Sequence, residues 1–288
     1  MKSILIIGNG KWANKVLDFV AKSKIFDLVY IKTRNENFFL KNKRKIKIKY
    51  LPHYKKINTI HVCSPIKTHY GYVEKLLGHK NLIIEKPFLN NFEQFQKIKK
   101  KVNLLKNARV VVNYIDLYSP LIKLIKKECN KQFDKIIFEY SDPKTYFKKK
   151  YLCIEDWLEH PLSLVLFLFK RFTKFKIVEK ILISKNSKYL EKVKIKFLYK
   201  KKIIMIEINF KDIKKRKIYF YKKNKLLSFI NLRKTKMKNK IDINNLFYLY
   251  KSLSSKKKLG YQSLSFYEKI LVQRINIVKS FQRLQSNF

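Results

Sequence analysis

The segment that most constrains this chain is Gly8-Asn9-Gly10-Lys11-Trp12-Ala13, which joins the apolar run Ser3–Ile7 to a helix-spaced series of Val16, Phe19 and Val20. It fits the pattern GxGxxG/A at a strand-to-helix turn. Gly8 permits the tight turn, Gly10 lets the backbone approach a pyrophosphate, and Ala13 allows close packing of helix on strand. The N-terminus of such a helix offers outward N–H groups to a phosphate. A plain strand–helix turn would satisfy the same local pattern. The chain has only five glycines, however, and two of them fall in this register.

Strand and helix signals alternate through residues 1–115. Strand-like runs fall at Leu28–Lys32, Ile46–Tyr50, Thr59–Cys63, Leu82–Glu85 and Arg109–Asn113, with helical spacing at residues 70–77 and 92–102. That alternation predicts a parallel sheet covered by helices. After Asn113 the pattern changes. Helix-like stretches at residues 120–128 and 156–171 are interleaved with strand candidates Ile136–Tyr140, Lys176–Ser184, Val193–Tyr199, Ile203–Phe210, Lys217–Tyr221 and Leu226–Asn231. Consecutive short strands of this kind predict a large open, mostly antiparallel sheet with helices on one face. The fold class expected is therefore α/β, an N-terminal Rossmann domain with a doubly wound parallel sheet (residues 1–115) followed by an α+β domain (residues 116–262). A last helix, Ser263–Gln282, closes the chain.

The formal charge of +48 comes from 68 Lys and Arg against 20 Asp and Glu. Only eight of the 68 are Arg, and Ala and Gly are scarce while Ile, Asn, Phe and Tyr abound. Lys, Ile, Asn, Phe and Tyr have AT-rich codons, so mutational drift accounts for the excess without a selected polyanion surface. A base-reading protein would concentrate Arg on one face, whereas Lys is spread along this chain; no specific nucleic-acid partner is expected. The three cysteines, Cys63, Cys129 and Cys153, lack CxxC spacing and imply neither a metal site nor a disulfide framework. No apolar run approaches the roughly 20 residues that span a bilayer, and Ile4–Ile7 is too short for a signal peptide. A cytoplasmic protein with no membrane partner is expected.

Two further groups carry chemistry. Ser64-Pro65 and His69 follow one strand, and Glu85-Lys86-Pro87 ends the next, at the strand ends where open α/β sheets bind ligands. A Lys there can donate to a substrate oxygen and relay its proton. Asp156-Trp157-Leu158-Glu159-His160 opens an apolar helix, and Asp156 and His160, four apart, share a helical face. A carboxylate so placed can orient an imidazole that takes a proton near neutrality. Equally, Asp156 can be a helix N-cap with Pro161 in the first turn.

Taken in order, GxGxxA, SP…H, EKP and DW..H resemble the Gfo/Idh/MocA family of glucose–fructose oxidoreductase and inositol dehydrogenase relatives. The resemblance runs essentially end to end, including Asn113-Tyr114 and the closing helix, which in the family packs back near the nucleotide domain. DWLEHPLSL is similar to the DWGPHDLSL form of sugar and cell-surface-polysaccharide members. The resemblance implies that Lys86, Asp156 and His160 are catalytic and that Gly8, Gly10, Ala13, Ser64, Pro65, His69 and Glu85 line a nicotinamide cofactor, Lys86 beside it. It implies hydride transfer between the nicotinamide and a carbinol carbon of a small-molecule substrate, with the three catalytic groups meeting in one cleft. An imine or tetrapyrrole reductase of the same superfamily, or a non-catalytic nucleotide-binding relative, is the alternative.

The cofactor expected is NADP or NAD, with NADP favoured. An acidic residue about 20 positions past the glycines usually holds the ribose of NAD, and that place falls at Thr33, with Arg34 next. A homo-oligomer is expected, built on the open face of the second sheet, because its strands carry apolar residues on both faces.

Overall fold

The computed structural model describes residues 2–34, 56–79, 81–105, 109–142, 157–170, 175–182, 190–209, 213–233, 245–253 and 262–286. The strand expected at Ile46–Tyr50 lies outside the described residues. The chain divides into two compact units, Met1–Asn113 with Leu246–Val272, and Tyr114–Asn245 with Gln273–Phe288.

The first unit is built from β1 (Ser3–Ile7), α1 (Lys11–Ser23), β2 (Leu28–Lys32), β3 (Thr59–Val62), α2 (His69–Leu76), β4 (Asn81–Glu85), α3 (Phe92–Leu104) and β5 (Val110–Asn113). The strands form one sheet in the order β2-β1-β3-β4-β5, every described pairing parallel. All residues of β1, β3, β4 and β5 are buried, which explains why these segments read as largely apolar without a period-two alternation. From β1 the chain builds outward to β2 on one side and to β3 on the other. The crevice beyond the carboxyl ends of β1 and β3 is the topological switch point of the sheet. On α1, Ala13, Val16, Leu17 and Val20 are buried, a stripe at helical spacing.

The second unit opens with a 3-10 turn, Ile115–Tyr118, and continues through α4 (Ile122–Cys129), β6 (Lys135–Ser141), α5 (Glu159–Phe169), β7 (Phe175–Leu182), β8 (Leu190–Tyr199), β9 (Lys202–Asn209), β10 (Lys215–Lys222) and β11 (Lys225–Asn231). Its sheet has the order β11-β10-β6-β9-β8-β7, with β6 and β9 parallel and the other pairs antiparallel. Ile136, Phe138, Tyr140, Val193, Ile195, Phe197, Ile204, Ile206, Ile208 and Ile218 are fully buried on one face, and α5 packs against β6 and β9. The residues between them point to the other face. This is the large, mostly antiparallel open sheet that the strand pattern predicts.

Two helices close the chain. The sequence pattern places residues 246–262 in the second domain; in the structure α6 (Asn245–Leu253) joins the first unit from Leu246 onward. It buries Leu246, Leu249, Tyr250 and Leu253, an i, i+3, i+4, i+7 stripe that the surrounding Lys- and Asn-rich sequence obscures. The first part of α7 (Leu264–Ser286) also belongs to the first unit, and its Tyr267 hydroxyl accepts the Val112 N–H of edge strand β5 at 3.1 Å. Arg109, buried just before β5, donates to the Leu253 and Ser252 carbonyls (both 3.1 Å) at the end of α6 and to Gln262 Oε1 at 2.6 Å. These are the carbonyls that a helix end leaves without partners, and a planar fork reaches both.

A lysine at this position cannot span the three acceptors. Arg109→Lys is therefore expected to lower stability by about 2–3 kcal/mol, read as a fall in Tm of several degrees. An unchanged Tm would show that the fork contributes nothing.

Candidate functional site

In the first unit the site residues gather at the carboxyl ends of the strands. Gly8 leaves β1 with φ +134, and its N–H donates to Lys32 O at 3.0 Å. A Cβ at Gly8 would lie 2.8 Å from the Cys63 carbonyl oxygen, so only glycine fits between the ends of β2 and β3. Gly10 is different. It caps α1 in extended geometry with no side-chain acceptor, and a Cβ there would meet nothing within 4 Å. The protein leaves that space open at a helix N-terminus with no acidic residue in its first turn, which fits a phosphate group. Ala13 is fully buried. Thr33 and the exposed Arg34 follow β2 directly, beside the Gly8 turn.

Ser64 and Pro65 begin the loop after β3, where the Thr68 hydroxyl lies 2.7 Å from both Ser64 Oγ and the Pro65 carbonyl. His69, 1% exposed, has Nε2 at 2.8 Å from the Ser64 carbonyl and Nδ1 at 2.9 Å from that of Pro87. Both ring nitrogens thus face backbone carbonyls, and His69 ties the loop after β3 to the loop after β4. The Lys86–Pro87 bond in that second loop is cis, and Lys86 is half-buried at the strand end.

Glu85 is the centre of a network. Its Oε1 accepts from the Trp12 indole, from Asn113 Nδ2 at 2.7 Å and from His61 Nε2 at 2.8 Å. The other nitrogen of His61 meets the Tyr250 hydroxyl at 2.7 Å. With Nε2 donating to the carboxylate, Nδ1 accepts from the tyrosine. Burial, then the Glu85 charge, pushes the Cys63 thiol well above its ordinary value; burial likewise pushes the Tyr250 phenol up. His61, Cys63 and Glu85 bring three possible metal-ligand atoms within 4.8 Å of one another. Both His61 nitrogens and Glu85 Oε1 are nonetheless engaged in hydrogen bonds, and the thiol is held protonated. The cluster is best described as a hydrogen-bonded relay.

In the second unit the residues centre on His160, in the first turn of α5, which is capped at Leu158. Asp156 itself lies outside the described residues. Around the imidazole stand Tyr140, stacked at 6.2 Å, and Trp157 at 5.6 Å. The carboxylate facing it is Asp116, from the 3-10 turn, with Oδ2 3.3 Å from His160 Nδ1. Asp116 also accepts from the Tyr140 hydroxyl at 3.0 Å and from Arg216 Nη1 at 3.1 Å. Arg216 and Tyr140 are opposite one another in the β10–β6 register, which brings the guanidinium over the Tyr140 and Trp157 rings. Burial works to raise the Asp116 carboxyl, but Arg216, His160 and Tyr140 outweigh it and hold it well below the carboxylate range. Tyr140 is pushed well above its ordinary value by burial and by the Asp116 charge.

The sequence marks Gly8, Gly10, Glu85, Lys86 and His160 as candidates but gives no sign of Trp12, His61 and Tyr250 around Glu85, or of Asp116, Tyr140 and Arg216 around His160. Asp116 lies 44 residues from His160, and Arg216 lies 100 residues from Asp116; no local spacing announces either.

Residues 2–114 match the sequence profile of the Gfo/Idh/MocA oxidoreductase family, described as having an NAD-binding Rossmann fold. No curated protein sequence matches the chain. Among solved structures, the fold is similar to that of a myo-inositol dehydrogenase from Corynebacterium glutamicum, with TM-score 0.76 and 13% identity over 97% of this chain and 96% of that one. It is also similar to UDP-N-acetylglucosamine 3-dehydrogenase from Acidithiobacillus ferrooxidans, with TM-score 0.74 and 13% identity over 95% of each chain. A dehydrogenase from Clostridium difficile gives TM-score 0.77 and 17% identity over 97% of this chain and 99% of that one. No described helix is long and apolar enough to cross a membrane.

The depressed Asp116 carboxyl makes a pH prediction. Its stabilising contribution is complete above the ordinary carboxylate value of about 3.9. As pH falls below that value the unfolded chain takes up the proton first, so the contribution is lost progressively. Urea midpoints between pH 6 and pH 3 should therefore fall more steeply for the wild type than for Asp116→Asn. Parallel slopes would show that Asp116 is not held ionised in the folded chain.

Proposed function

We propose, from the match of residues 2–114 to the Gfo/Idh/MocA oxidoreductase family with its NAD-binding Rossmann fold, that the chain transfers a hydride between a nicotinamide cofactor and a carbinol carbon of a sugar, nucleotide-sugar or cyclitol. The observation that carries this reading is the pair of glycines at the switch point, Gly8 wedged against the Cys63 carbonyl and Gly10 opening onto the N-terminus of α1. The substrate class rests on the fold shared with a myo-inositol dehydrogenase and a UDP-N-acetylglucosamine 3-dehydrogenase, whose names both specify dehydrogenation of a hydroxylated ring.

When bound, the nicotinamide supplies the hydride acceptor or donor. The N–H groups at the start of α1 hold the pyrophosphate. Glu85, its Oε1 already saturated by Trp12, His61 and Asn113, is held rigidly as an acceptor at the end of β4. Lys86 and His160 handle the proton of the substrate hydroxyl, and Asp156 remains the motif partner of His160 by resemblance. Replacing Lys86 with Met or His160 with Asn is expected to lower kcat by about 100-fold or more while NADPH binding persists.

NADPH is the favoured cofactor. Thr33 and Arg34 stand beside the Gly8 turn where a carboxylate would repel a 2′-phosphate; a hydroxyl and a guanidinium bind it. Fluorescence titration should give a lower Kd for NADPH than for NADH, and Arg34→Ala should bring the two values together. A chain that binds neither dinucleotide would sink the oxidoreductase reading; tighter NADH binding, unmoved by Arg34→Ala, would sink the cofactor preference alone.

We also propose that the open face of the second sheet joins two copies of the chain. Phe229, Tyr219, Ile137 and Met205 lie in one row across β11, β10, β6 and β9, and Phe229 is 55% exposed. The adjoining row reads Lys217, Glu139, Glu207, Lys194, two carboxylates flanked by lysines, with Glu139 paired to Lys215 and Glu207 to Lys194. An aromatic patch beside a charge-matched row suits association of like-charged copies. Light scattering at micromolar concentration should report at least a dimer, which Tyr219→Lys weakens; a monomeric wild type would refute this.

A further inference from the structure

The reading of His160 as a proton-handling group leaves open which residue sets its ring orientation and basicity. We propose that Asp116, locked by Arg216 and Tyr140, is the positioning carboxylate of His160, fixing the tautomer with the proton on Nδ1 and leaving Nε2 as the basic nitrogen. This deepens the proposed function and rests on it for its catalytic meaning, though not for its geometry.

The geometry has three parts. First, Asp116 Oδ2 lies 3.3 Å from His160 Nδ1, an ion-pair contact not aligned as a hydrogen bond, so its hold on the Nδ1 proton is electrostatic; both side chains are almost fully buried, at 4% and 7% exposed. Second, the carboxylate is immobilised from the far side. Arg216 Nη1 takes Oδ1 at 3.1 Å, and the Tyr140 hydroxyl takes Oδ2 at 3.0 Å. Third, those anchors come from the sheet, where Arg216 and Tyr140 are direct cross-strand partners. The carboxylate that faces the imidazole is therefore held by rigid elements, not by the start of the helix that carries His160. An orienting group held this way needs no rearrangement when the imidazole gains a proton.

The charges divide the work. Asp116 favours the imidazolium, and Arg216, stacked over the Tyr140 and Trp157 rings, opposes it. The other charged groups at hand are Glu159, beside His160 on α5, and Arg274 on α7; these two pair with each other at 3.2 Å. The Tyr140 phenol, from β6, stays protonated. The Asp116–Arg216 pair is neutral before proton transfer, and the cluster becomes cationic when His160 takes a proton. A lone carboxylate would raise the basicity of the imidazole further; the guanidinium restrains it, which suits a group that must both accept and return a proton near neutrality.

The chain has five histidines, so His160 is assignable by 15N NMR of the full-length protein against His160→Gln. The titration needs neither cofactor nor substrate. Asp116→Asn keeps an acceptor for Tyr140 and Arg216 but loses the charge, and it should lower the His160 pKa by about one pH unit or more and reduce the Nδ1–H tautomer. Arg216→Met should move the same pKa upward. Opposite displacements from two neighbouring substitutions are not what a general loosening of the fold produces. If Asp116→Asn leaves the His160 titration and tautomer unchanged, or if Asp156→Asn alone moves them, the assignment to Asp116 is overturned. NADPH titration of the same samples reports separately on the oxidoreductase reading, so either can fail without the other.

Discussion

A carboxylate taken out of water must be surrounded by donors or give up its charge, and this constraint organises both units. The chain has 20 acidic side chains against 68 basic ones, so the carboxylates kept inside are informative. Glu85 draws on Trp12 from α1, His61 from β3 and Asn113 from β5. One oxygen atom thus ties the start of α1 and two strands, β3 and β5, to the end of β4. That is why the strand ends are held in fixed relation while the loops that follow them carry Ser64, Lys86 and the cis proline. Removing the Glu85 charge would free donors that are themselves buried, and the cost would fall on the rim of the nucleotide site rather than on the core. In the second unit Asp116 plays the same part for a side-chain site.

The eight arginines tell a related story. Lysine dominates the surface, as drift toward AT-rich codons implies. Yet Arg109 and Arg274 are buried, and Arg216 is mostly so. Each meets acceptors that a single ammonium serves poorly. Arg109 spans two helix-end carbonyls and a glutamine, Arg274 reaches a fully buried Glu159, and Arg216 stacks on two rings while holding Asp116. A guanidinium is more weakly hydrated than an ammonium and presents a rigid fork, so these positions resist the exchange that the surface tolerates. The buried arginines are explained by the acceptors around them.

The legible part of the molecule was the part with local causes. A strand buried on both faces is largely apolar, so the runs Ile4–Ile7 of β1, Leu82–Ile84 of β4 and Val110–Val112 of β5 are visible in the sequence. A turn forced against a neighbouring backbone must be glycine, so Gly8 stood out. Alternation marked β6, β9 and β10 because one face of their sheet is covered and the other is not. The illegible part had non-local causes. His61 reads as one more polar residue in a strand until β4 places Glu85 beside it. Asp116 sits in a turn with no motif of its own, and nothing in sequence joins it to Arg216. The helix α6 is hidden in the sequence because its short apolar stripe stands in Lys- and Asn-rich surroundings, and burial separates its inward positions from the exposed Phe247.

The two sites also differ in what they are made of, and the difference bears on how each withstands sequence drift. The nucleotide end is largely backbone: the Gly8 turn, the free space at Gly10, the N–H groups of α1 and the carbonyls that His69 ties together. Backbone groups survive most substitutions, provided that glycine stays where a Cβ would collide. The His160 end is side chain throughout, assembled from a turn, two strands in register and a helix. Each member there compensates a charge or a buried hydroxyl on another. Loss of Arg216 would leave Asp116 buried with its main counter-charge gone, a change that costs several kcal/mol where a partner is removed from a buried pair. Such a cluster has few intermediate states between intact and broken. Every described member of the cluster touches another, so a substitution at one changes the charge or hydrogen bonding that the others meet.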